Sequence, residues 1–502
     1  MGFGRRLINE IIHHKFDYIV VIVAMVLTGV IRFTPVFDGG FPFLFDHGRD
    51  MLEVKNIVVN HHPTLIGPFT GLQGVFQGPL HYYLLAIPFI LSGGNPAANI
   101  FTMAFLGVLG TLLCYLLGRT MYGRLFGIIV ALFFALSPTS ISFSTIFWNP
   151  YWIPFCMIFF MYCMHKAIKN PKYLLWCGVI AGVIAQFELA FGGNIILVAI
   201  ILSIFFIRKF YVNQYFWYMI LIFLLSFSAQ VLFDFKHEFL MSRSIIQLLE
   251  GKNVSLGESI PYPTRLHYRL DEIRKATINT VSGAALFRYM FAGIGLAYIF
   301  RALYMRDTLE GKRILFFLAC PLWFFIFFLL YPRPAWEWYW VGLQVSYYFF
   351  IAYAVSRFMK LHQVNFLILS ILLFVWSIYT YSQYWGHTEV VDTNPGTFRN
   401  EIRIIDDIYA DSPGKPFGAF VYTPPIYDYN YNYLFWWRGS TKYSYVPNDS
   451  KDGLFYLIIE KDDPKNPYGS DGWKKTVIKK GTIIWTRTYP GGVTVERREG
   501  AI

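Results

Sequence analysis

Two carboxylates stand four residues apart where the chain leaves its first apolar segment. Asp46 and Asp50 belong to the run FDHGRD, and Arg49 lies between them. The apolar spacing that follows predicts a helix from His47 onward, and residues four apart share one helix face. This pattern favours a general base with a cation beside it, acting on a substrate at the bilayer surface. The structural alternative is a helix with Asp46 as its N-cap and Arg49 exposed to solvent.

Histidines in the same loop raise the question of a metal. His61 and His62 are adjacent, His81 follows later, and no HxxxH or HExxH spacing is present. We therefore expect structural or phosphate-contacting histidines, and we assign no cofactor with certainty. The alternative that Asp46 and a lipid phosphate hold a divalent ion, Mg²⁺ or Mn²⁺, remains open.

Further polar residues stand near the ends of apolar segments. Glu188 lies in QFELAFGG, Asp234 is followed by Arg243, and Glu337 lies in a turn rich in tryptophan. An ionisable acid in a membrane span costs free energy unless it is paired or lies in a water-filled cavity. Each of these acids is therefore a site candidate. The alternatives are an exposed juxtamembrane helix for Asp234 and an aromatic interface belt around Glu337.

The composition defines the class of protein in which these residues act. Of the 502 residues, 55% are hydrophobic and 15% are charged, and the mean hydropathy is +0.43. These values predict a polytopic membrane protein. The net charge of +12 does not indicate nucleic-acid binding, because most basic residues fall in short loops between spans. The five cysteines lie in apolar stretches and predict neither a disulfide framework nor a zinc site.

About eleven segments are long and apolar enough to cross a bilayer. We place them near residues 17–36, 97–117, 124–139, 150–168, 173–190, 192–207, 215–233, 284–304, 312–331, 338–358 and 363–384. The stretch Pro79–Leu91 is shorter and holds two prolines, which favours an interfacial or re-entrant helix. If it does not span, every basic short loop falls on the side of the basic N-terminus, as the positive-inside rule demands.

This topology divides the chain. Residues 1–385 form a membrane domain with a retained N-terminal anchor, a cytoplasmic N-terminus and an outward first loop at 37–96. Residues 386–502 form a small α+β domain on the outer side, with a helix at FRNEIRIIDDIYA and strands at FGAFVY, LFYLIIE, GTIIWTRTY and GVTVERRE. The aromatic run YTPPIYDYNYNYLFWWRG suits sugar stacking or, alternatively, docking onto the membrane domain. The lack of a disulfide framework favours a bacterial plasma membrane.

The order of these motifs resembles a known family. FDHGRD, then QGPLHYYLLA, then LLGRTMYGRLFGIIVALFFALSP and IFWNPYW resemble the membrane glycosyltransferases of the GT-C fold. The resemblance is to the branch of protein mannosyltransferases and aminoarabinose transferases (glycosyltransferase family 39 and its relatives). It covers roughly residues 15–240, is weaker from there to about residue 385, and leaves out the tail. It implies an all-α GT-C-like membrane fold, with juxtamembrane helices in the first loop.

The resemblance also implies roles for particular residues. The family's loop acid, the base toward the acceptor, falls on Asp46, whereas His47 replaces the usual second acid. Gln77 stands where a cation often precedes the juxtamembrane helix, so the phosphate contact is expected at Arg49, His81 or Arg243. A second acid that is often found between later spans is replaced by Asn149. The remaining site candidates are Asp50, Gln77, Glu188, Asp234 and Glu337.

The implied activity is inverting transfer of a sugar from a polyprenyl phosphate to an acceptor hydroxyl on the outer face. The expected partners are that lipid-linked donor, a glycan, lipid or protein acceptor, and membrane lipids. The competing interpretation is a transporter or lipid-linked saccharide flippase with an outward lid, although the sequence has no internal repeat typical of transporters. A non-catalytic polysaccharide-binding or assembly protein is a third hypothesis, for which Asp46 would be dispensable.

Overall fold

The computed structural model describes most of the chain. The residues described are 15–250, 252, 257, 259–281, 285–305, 308–359, 375, 379, 382, 394–424, 427–463 and 469–500. The expected span at 363–384 and the expected domain boundary between 385 and 386 lie outside the continuously described segments.

The membrane part is built of helices. Their bounds are α1 Lys15–Asp38, α2 Phe45–Val58, α3 Leu80–Ser92, α4 Pro96–Tyr122, α5 Arg124–Leu136, α6 Pro138–Phe143, α7 Ile153–Ala167, α8 Tyr173–Phe187, α9 Leu189–Phe206, α10 Gln214–Leu225, α11 Ser228–Lys236, α12 Leu240–Leu249, α13 Tyr262–Val281, α14 Ala285–Tyr304, α15 Leu309–Leu330 and α16 Leu343–Met359. Short 3₁₀ turns lie at Asn149–Trp152, Phe210–Val212 and Glu337–Trp340. Apolar helices thus coincide with the predicted spans wherever the chain is described, which confirms the predicted fold class.

Length and composition alone single out fewer crossings. Among the described residues, α1, α4, α9 and α15 are long and apolar enough to span a membrane, and the pair α10 and α11, bent by 42°, makes a fifth if it is one span. Shorter apolar helices include α3, α5 and α8. Helix α3 has 13 residues, which is too few for a full crossing. This agrees with the prediction of an interfacial or re-entrant helix for Pro79–Leu91. The sidedness of the bundle stays a prediction.

A buried arginine ties the start of the bundle together. The Arg32 side chain is 0% exposed, and its Nε donates to Ser144 Oγ at 2.7 Å. Its Nη1 donates to the carbonyl of Ala135 at 3.2 Å and its Nη2 to that of Phe134 at 3.3 Å. These carbonyls lie at the C-terminal end of α5, the negative end of the helix dipole. Buried cations need such partners, so Arg32 fixes α1 against α5 and α6.

The C-terminal part is a small α+β unit, as predicted. Its helices are α17 Phe398–Asp411, α18 Tyr429–Arg438 and the short α19 Gly469–Trp473, its strands are β1 Gly418–Tyr422, β2 Gly453–Ile459, β3 Thr482–Thr488 and β4 Thr494–Gly500, π-helical turns lie at Gly439–Tyr443 and Lys474–Ile478, and a 3₁₀ turn lies at Pro490–Gly492. The strands run in the order β1-β2-β4-β3. Strands β1 and β2 are parallel, and the other neighbours are antiparallel. Helix α17 buries Ile404, Ile405 and Ile408 in the same core as Tyr456 and Val495.

Candidate active site in the first loop

The helix that carries the two acids begins two residues earlier than the sequence indicates. Leu44 is extended and serves as the N-cap of α2. The backbone N–H of Leu44 donates to Nδ1 of His47 at 2.9 Å, so a histidine performs the capping expected of Asp46. Asp46 lies in the first turn, where a negative charge faces the positive end of the helix dipole.

Arg49 joins the two carboxylates. Its Nη1 lies 2.6 Å from Asp46 Oδ1, and its Nη2 lies 2.7 Å from Asp50 Oδ1. The Arg49 Nε donates to the same Asp50 oxygen at 2.9 Å. The Asp50 side chain is 0% exposed, whereas that of Asp46 is 28% exposed. Asp46 is therefore the carboxylate of this pair that a substrate can reach.

His81 completes the group from α3. Its Nε2 lies 3.0 Å from Asp50 Oδ2, and Trp152 Nε1 donates to its Nδ1 at 3.0 Å. An indole nitrogen is a donor only, so Nδ1 must accept and the ring proton must lie on Nε2. His81 is therefore a neutral donor to Asp50. We call Asp46, Arg49, Asp50 and His81 the acid–arginine cluster. With His81 neutral and both acids ionised, it has one more negative than positive charge.

The same contacts separate the pKa values of the two acids. Burial raises the pKa of the Asp46 carboxyl above its ordinary value, and the Arg49 guanidinium offsets this only in part. Burial would also raise the pKa of Asp50, but the charge of Arg49 and the bond from His81 outweigh it and hold that pKa below its ordinary value. Asp46 is therefore the better base, and Asp50 is its permanently charged neighbour.

His47 contributes a buried polar atom rather than an accessible one. Burial lowers the pKa of His47 to about 4, so the imidazole is neutral near neutral pH. Since Nδ1 accepts from Leu44, the proton lies on Nε2, which has no hydrogen-bond partner among the described residues. The rings of Phe43 and Phe147 lie 6.2 and 4.9 Å from it. This histidine sets the start of α2 and faces aromatic rings.

Three further candidates form a second group, which we call the support cluster: Gln77, Asn149 and Glu188. Gln77 Nε2 donates to Glu188 Oε2 at 3.0 Å, and Gln77 Oε1 accepts from the backbone of Leu189 at 2.9 Å. Asn149 Nδ2 donates to the carbonyl of Phe187 at 2.7 Å. Gln77 therefore fixes the first loop, and Asn149 the turn before α7, to the junction of α8 and α9.

The other predicted site residues lie apart from these clusters. Asp234 is buried and caps α12, accepting from the backbone of Met241 at 2.6 Å and from Ser242 Oγ at 2.5 Å. The rest of its helix is largely exposed, as the alternative of an exposed juxtamembrane helix expects. Arg243 on α12 is 56% exposed and lies 3.6 Å from Glu238. Glu337 is exposed in its 3₁₀ turn.

The contacts of His81 and Arg49 change the expected phosphate contacts. Both ring nitrogens of His81 are occupied and its side chain is 0% exposed, so it offers no atom to a donor phosphate. The Arg49 guanidinium is committed to two carboxylates. Arg243 is the exposed cation of the three.

The arrangement does not fit a metal ion. In the part of the chain that the structure describes, no three side chains of His, Cys, Asp or Glu converge to bind one. Both oxygens of Asp50 are engaged, and the Arg49 guanidinium already neutralises Asp46 through its Oδ1. We therefore derive no step through a metal.

The C-terminal unit packs directly on the acid-bearing helix. A Cβ added to Gly48 would lie 2.1 Å from the backbone nitrogen of Asn430 in α18. Trp437 Nε1 donates to the carbonyl of Gly93 at 3.1 Å, and the Tyr433 hydroxyl donates to the carbonyl of Gly94. The aromatic run in the tail is thus a docking surface, one of the two interpretations we considered. We call this contact the seam.

Comparisons with known proteins identify the fold. No family model and no curated protein matches the chain. Among solved structures, ArnT from Cupriavidus metallidurans bound to undecaprenyl phosphate superposes with a TM-score of 0.62 and 12% identity, over 96% of this chain and 98% of that chain. Its apo state gives a TM-score of 0.61 at 12% identity, over 97% and 98%. AglB from Archaeoglobus fulgidus, in complex with an inhibitory peptide and a dolichol-phosphate, gives 0.44 at 12% identity, over 88% and 69%.

The likeness to ArnT, an aminoarabinose transferase, extends over nearly the whole of both chains. The chain therefore has the fold of the GT-C membrane glycosyltransferases, as its motif order predicts. The C-terminal unit is included in this likeness, although the sequence resemblance stops short of the tail.

Proposed function

We propose that the chain is a membrane glycosyltransferase that moves a sugar from a polyprenyl phosphate to an acceptor hydroxyl on the outer face of the membrane. The observation that carries this proposal is the position of Asp46 as the accessible, more basic carboxylate of the acid–arginine cluster. The ArnT-like fold supports the class of donor, because that neighbour was solved with undecaprenyl phosphate bound.

In this mechanism Asp46 takes the proton of the acceptor hydroxyl as that oxygen attacks the anomeric carbon of the sugar. The bond between this carbon and the phosphate oxygen breaks on the opposite face, and polyprenyl phosphate leaves with the bonding electrons. A single displacement inverts the anomeric centre. A positioned base of this kind contributes roughly 10²–10⁴-fold to a rate.

The other residues of the site have positioning roles. Arg49 orients Asp46 and keeps Asp50 ionised, and His81 holds the second oxygen of Asp50. We assign the contact to the leaving phosphate to Arg243, because its guanidinium is exposed and α12 packs on the first loop through Met241, Leu72 and Val75. Charge stabilisation at a leaving group is often the larger catalytic contribution.

The test is sugar transfer in membranes containing wild type, Asp46→Asn or Glu53→Gln, with a radiolabelled pool of polyprenyl-phosphate sugars. Glu53 lies on the same helix, so its change from acid to amide is the matched control. We expect Asp46→Asn to lose about 10²-fold or more of the rate, and Glu53→Gln to stay near wild type. Equal activity of all three proteins would remove Asp46 as the base. No donor turnover by wild type would favour the transporter hypothesis, and a product that keeps the donor's anomeric configuration would contradict the single displacement.

A further inference from the structure

A polar cavity lies at the end of the helix bundle opposite the first loop. It has a volume of about 160 Å³ and is lined by Met121, Tyr122, Arg313, Tyr353, Ser356 and Arg357. These residues come from the last turn of α4, the beginning of α15 and the end of α16. One water molecule occupies roughly 30 Å³ in the liquid, so the cavity has room for a hydrated anion of several heavy atoms. We call it the basic cavity.

The basic cavity is separate from the first loop. Helix α4 begins at Pro96, next to the seam, and runs for 27 residues to Tyr122. At about 1.5 Å per residue this helix is roughly 40 Å long, so the basic cavity lies about a bilayer thickness from the acid–arginine cluster. A ligand held there cannot be the reacting sugar.

Two arginines on different helices give the cavity its charge. The guanidinium carbon of Arg313 lies 5.3 Å from the ring centroid of Tyr122, and that of Arg357 lies 5.5 Å from that of Tyr353. Among the described residues, no carboxylate lines the cavity and no ion pair joins either arginine to an acid. The nearby Glu310 is 3.4 Å from Arg301, and its charge also reaches Arg357 without forming an ion pair with it. The two guanidiniums thus lie against aromatic rings, with their donors uncommitted to a carboxylate.

Unused hydrogen-bonding atoms accompany these charges. The Tyr353 side chain is 1% exposed, and its hydroxyl interacts with the Arg357 guanidinium of the same cavity while making no well-aligned hydrogen bond among the described residues. Behind Tyr122, whose ring centroid is 4.8 Å from that of His165, the His165 Nδ1 is buried and likewise unpartnered there. A buried polar atom without a well-aligned partner is destabilising, and a ligand that accepts from the tyrosine hydroxyl would remove that cost.

We propose that the basic cavity binds a phosphate group. Planar guanidiniums bind phosphate oxygens through paired hydrogen bonds, and basic pockets between membrane helices hold lipid head groups. Arg313 and Arg357 supply the charge, and the Tyr353 hydroxyl supplies a further donor. Orientation in the membrane explains exposed basic residues in short loops, but it does not explain two arginines and a buried hydroxyl that converge on one cavity. The phosphate belongs either to an anionic phospholipid or to soluble inorganic phosphate.

The experiment is a thermal-shift titration of the purified full chain in dodecyl maltoside micelles, which contain no phosphate group. One arm adds short-chain phosphatidylglycerol, and the other adds inorganic phosphate. The test variant is Arg313→Gln/Arg357→Gln, and the charge-matched control is Lys172→Gln/Arg208→Gln, which removes two exposed cations outside the cavity. We expect a saturable rise in the melting temperature of wild type and control, with binding at least about tenfold weaker in the test variant.

The two arms separate the sources. A response to phosphatidylglycerol alone assigns the cavity to a lipid head group, and a response to inorganic phosphate as well assigns it to the free anion. No saturable response in either arm, or equal affinity in test and control variants, overturns the proposal. If the glutamine variant does not fold, Tyr353→Phe takes its place, because it removes one hydroxyl and leaves both arginine charges in the cavity. Its binding should be several-fold weaker, and unchanged affinity would contradict the site.

Discussion

At the scale of single residues, one arginine gives the two acids different properties. Arg49 contacts both, but Asp50 is enclosed and also bonded to His81, whereas Asp46 remains partly open. That Asp46 and Asp50 share one helix face could be predicted from their spacing in the sequence, because it follows from helix geometry. The roles of His81 and Trp152 were not, because their contact joins residues 71 positions apart. Nothing local in the sequence marks a buried tryptophan that fixes the tautomer of a histidine.

The pH dependence of transfer tests the assignment of the base. Asp46 must be ionised to accept a proton, so activity should fall on acidification as the pH passes through its raised pKa. Arg49 lowers that pKa, so Arg49→Gln should move the acid limb of the profile to higher pH. Arg49→Lys keeps the charge and should leave the limb near that of wild type. The measurement is the initial transfer rate against pH, and an acid limb that does not move in Arg49→Gln would contradict the pairing.

A stability measurement tests the position of His81. His81→Ala leaves Asp50 Oδ2 and Trp152 Nε1 without their buried partners, at roughly 1–3 kcal/mol for each. The free energy of unfolding in detergent should therefore fall by about 2–6 kcal/mol. His62→Ala is the matched control, because His62 is an exposed histidine of the same loop. Equal stability of the two variants would show that the hydrogen bonds from Asp50 through His81 to Trp152 do not stabilise the first loop.

At the scale of elements, the sequence predicted what local periodicity determines. Helix α3, the tail helix α17 and all four strands formed where their patterns indicated. The start of α2 was placed late because the expected cap was a carboxylate, whereas His47 performs the capping. The packing of α18 on α2 was left as one of two alternatives, since aromatic composition suits a sugar and a docking surface equally. Gly48 was the overlooked indication of this packing, because a glycine allows the backbone of another helix to approach closely.

Gly48→Ala should disturb the contact between α2 and α18. The added Cβ would lie 2.1 Å from a backbone nitrogen and 2.3 Å from the carbonyl carbon of Tyr429, so backbone must move. Such overpacking costs about 1–3 kcal/mol. Gly193→Ala is the control, because nothing lies within 4 Å of its added Cβ. Limited proteolysis of the C-terminal unit should be faster in Gly48→Ala alone, and equal resistance would mean that the two helices are not held this closely.

At the scale of the whole molecule, the C-terminal unit is part of the wall around the candidate site. Besides α18, its segment before α17 pairs with the chain that leads into α2: Phe43 N–H donates to the carbonyl of Gly396 at 2.9 Å, and Phe398 N–H to that of Phe41 at 3.0 Å. The rings of Phe41 and Phe398 stack at 4.9 Å. These long-range contacts could not be predicted from a sequence resemblance that ends before the tail.

The first loop and the C-terminal unit should therefore open together. Tyr433→Phe/Trp437→Phe removes the two hydrogen bonds to the turn between α3 and α4 and keeps aromatic rings in place, at about 1 kcal/mol for each bond. Tyr489→Phe is the control, since its hydroxyl bonds to Asp407 within the C-terminal unit. Hydrogen exchange should become faster in α18 and α2 alike, because local opening follows cooperative units, and transfer should fall with it. If exchange becomes faster in α18 while α2 stays as protected as in the control, the prediction is wrong. The first loop would then be ordered by the membrane helices alone.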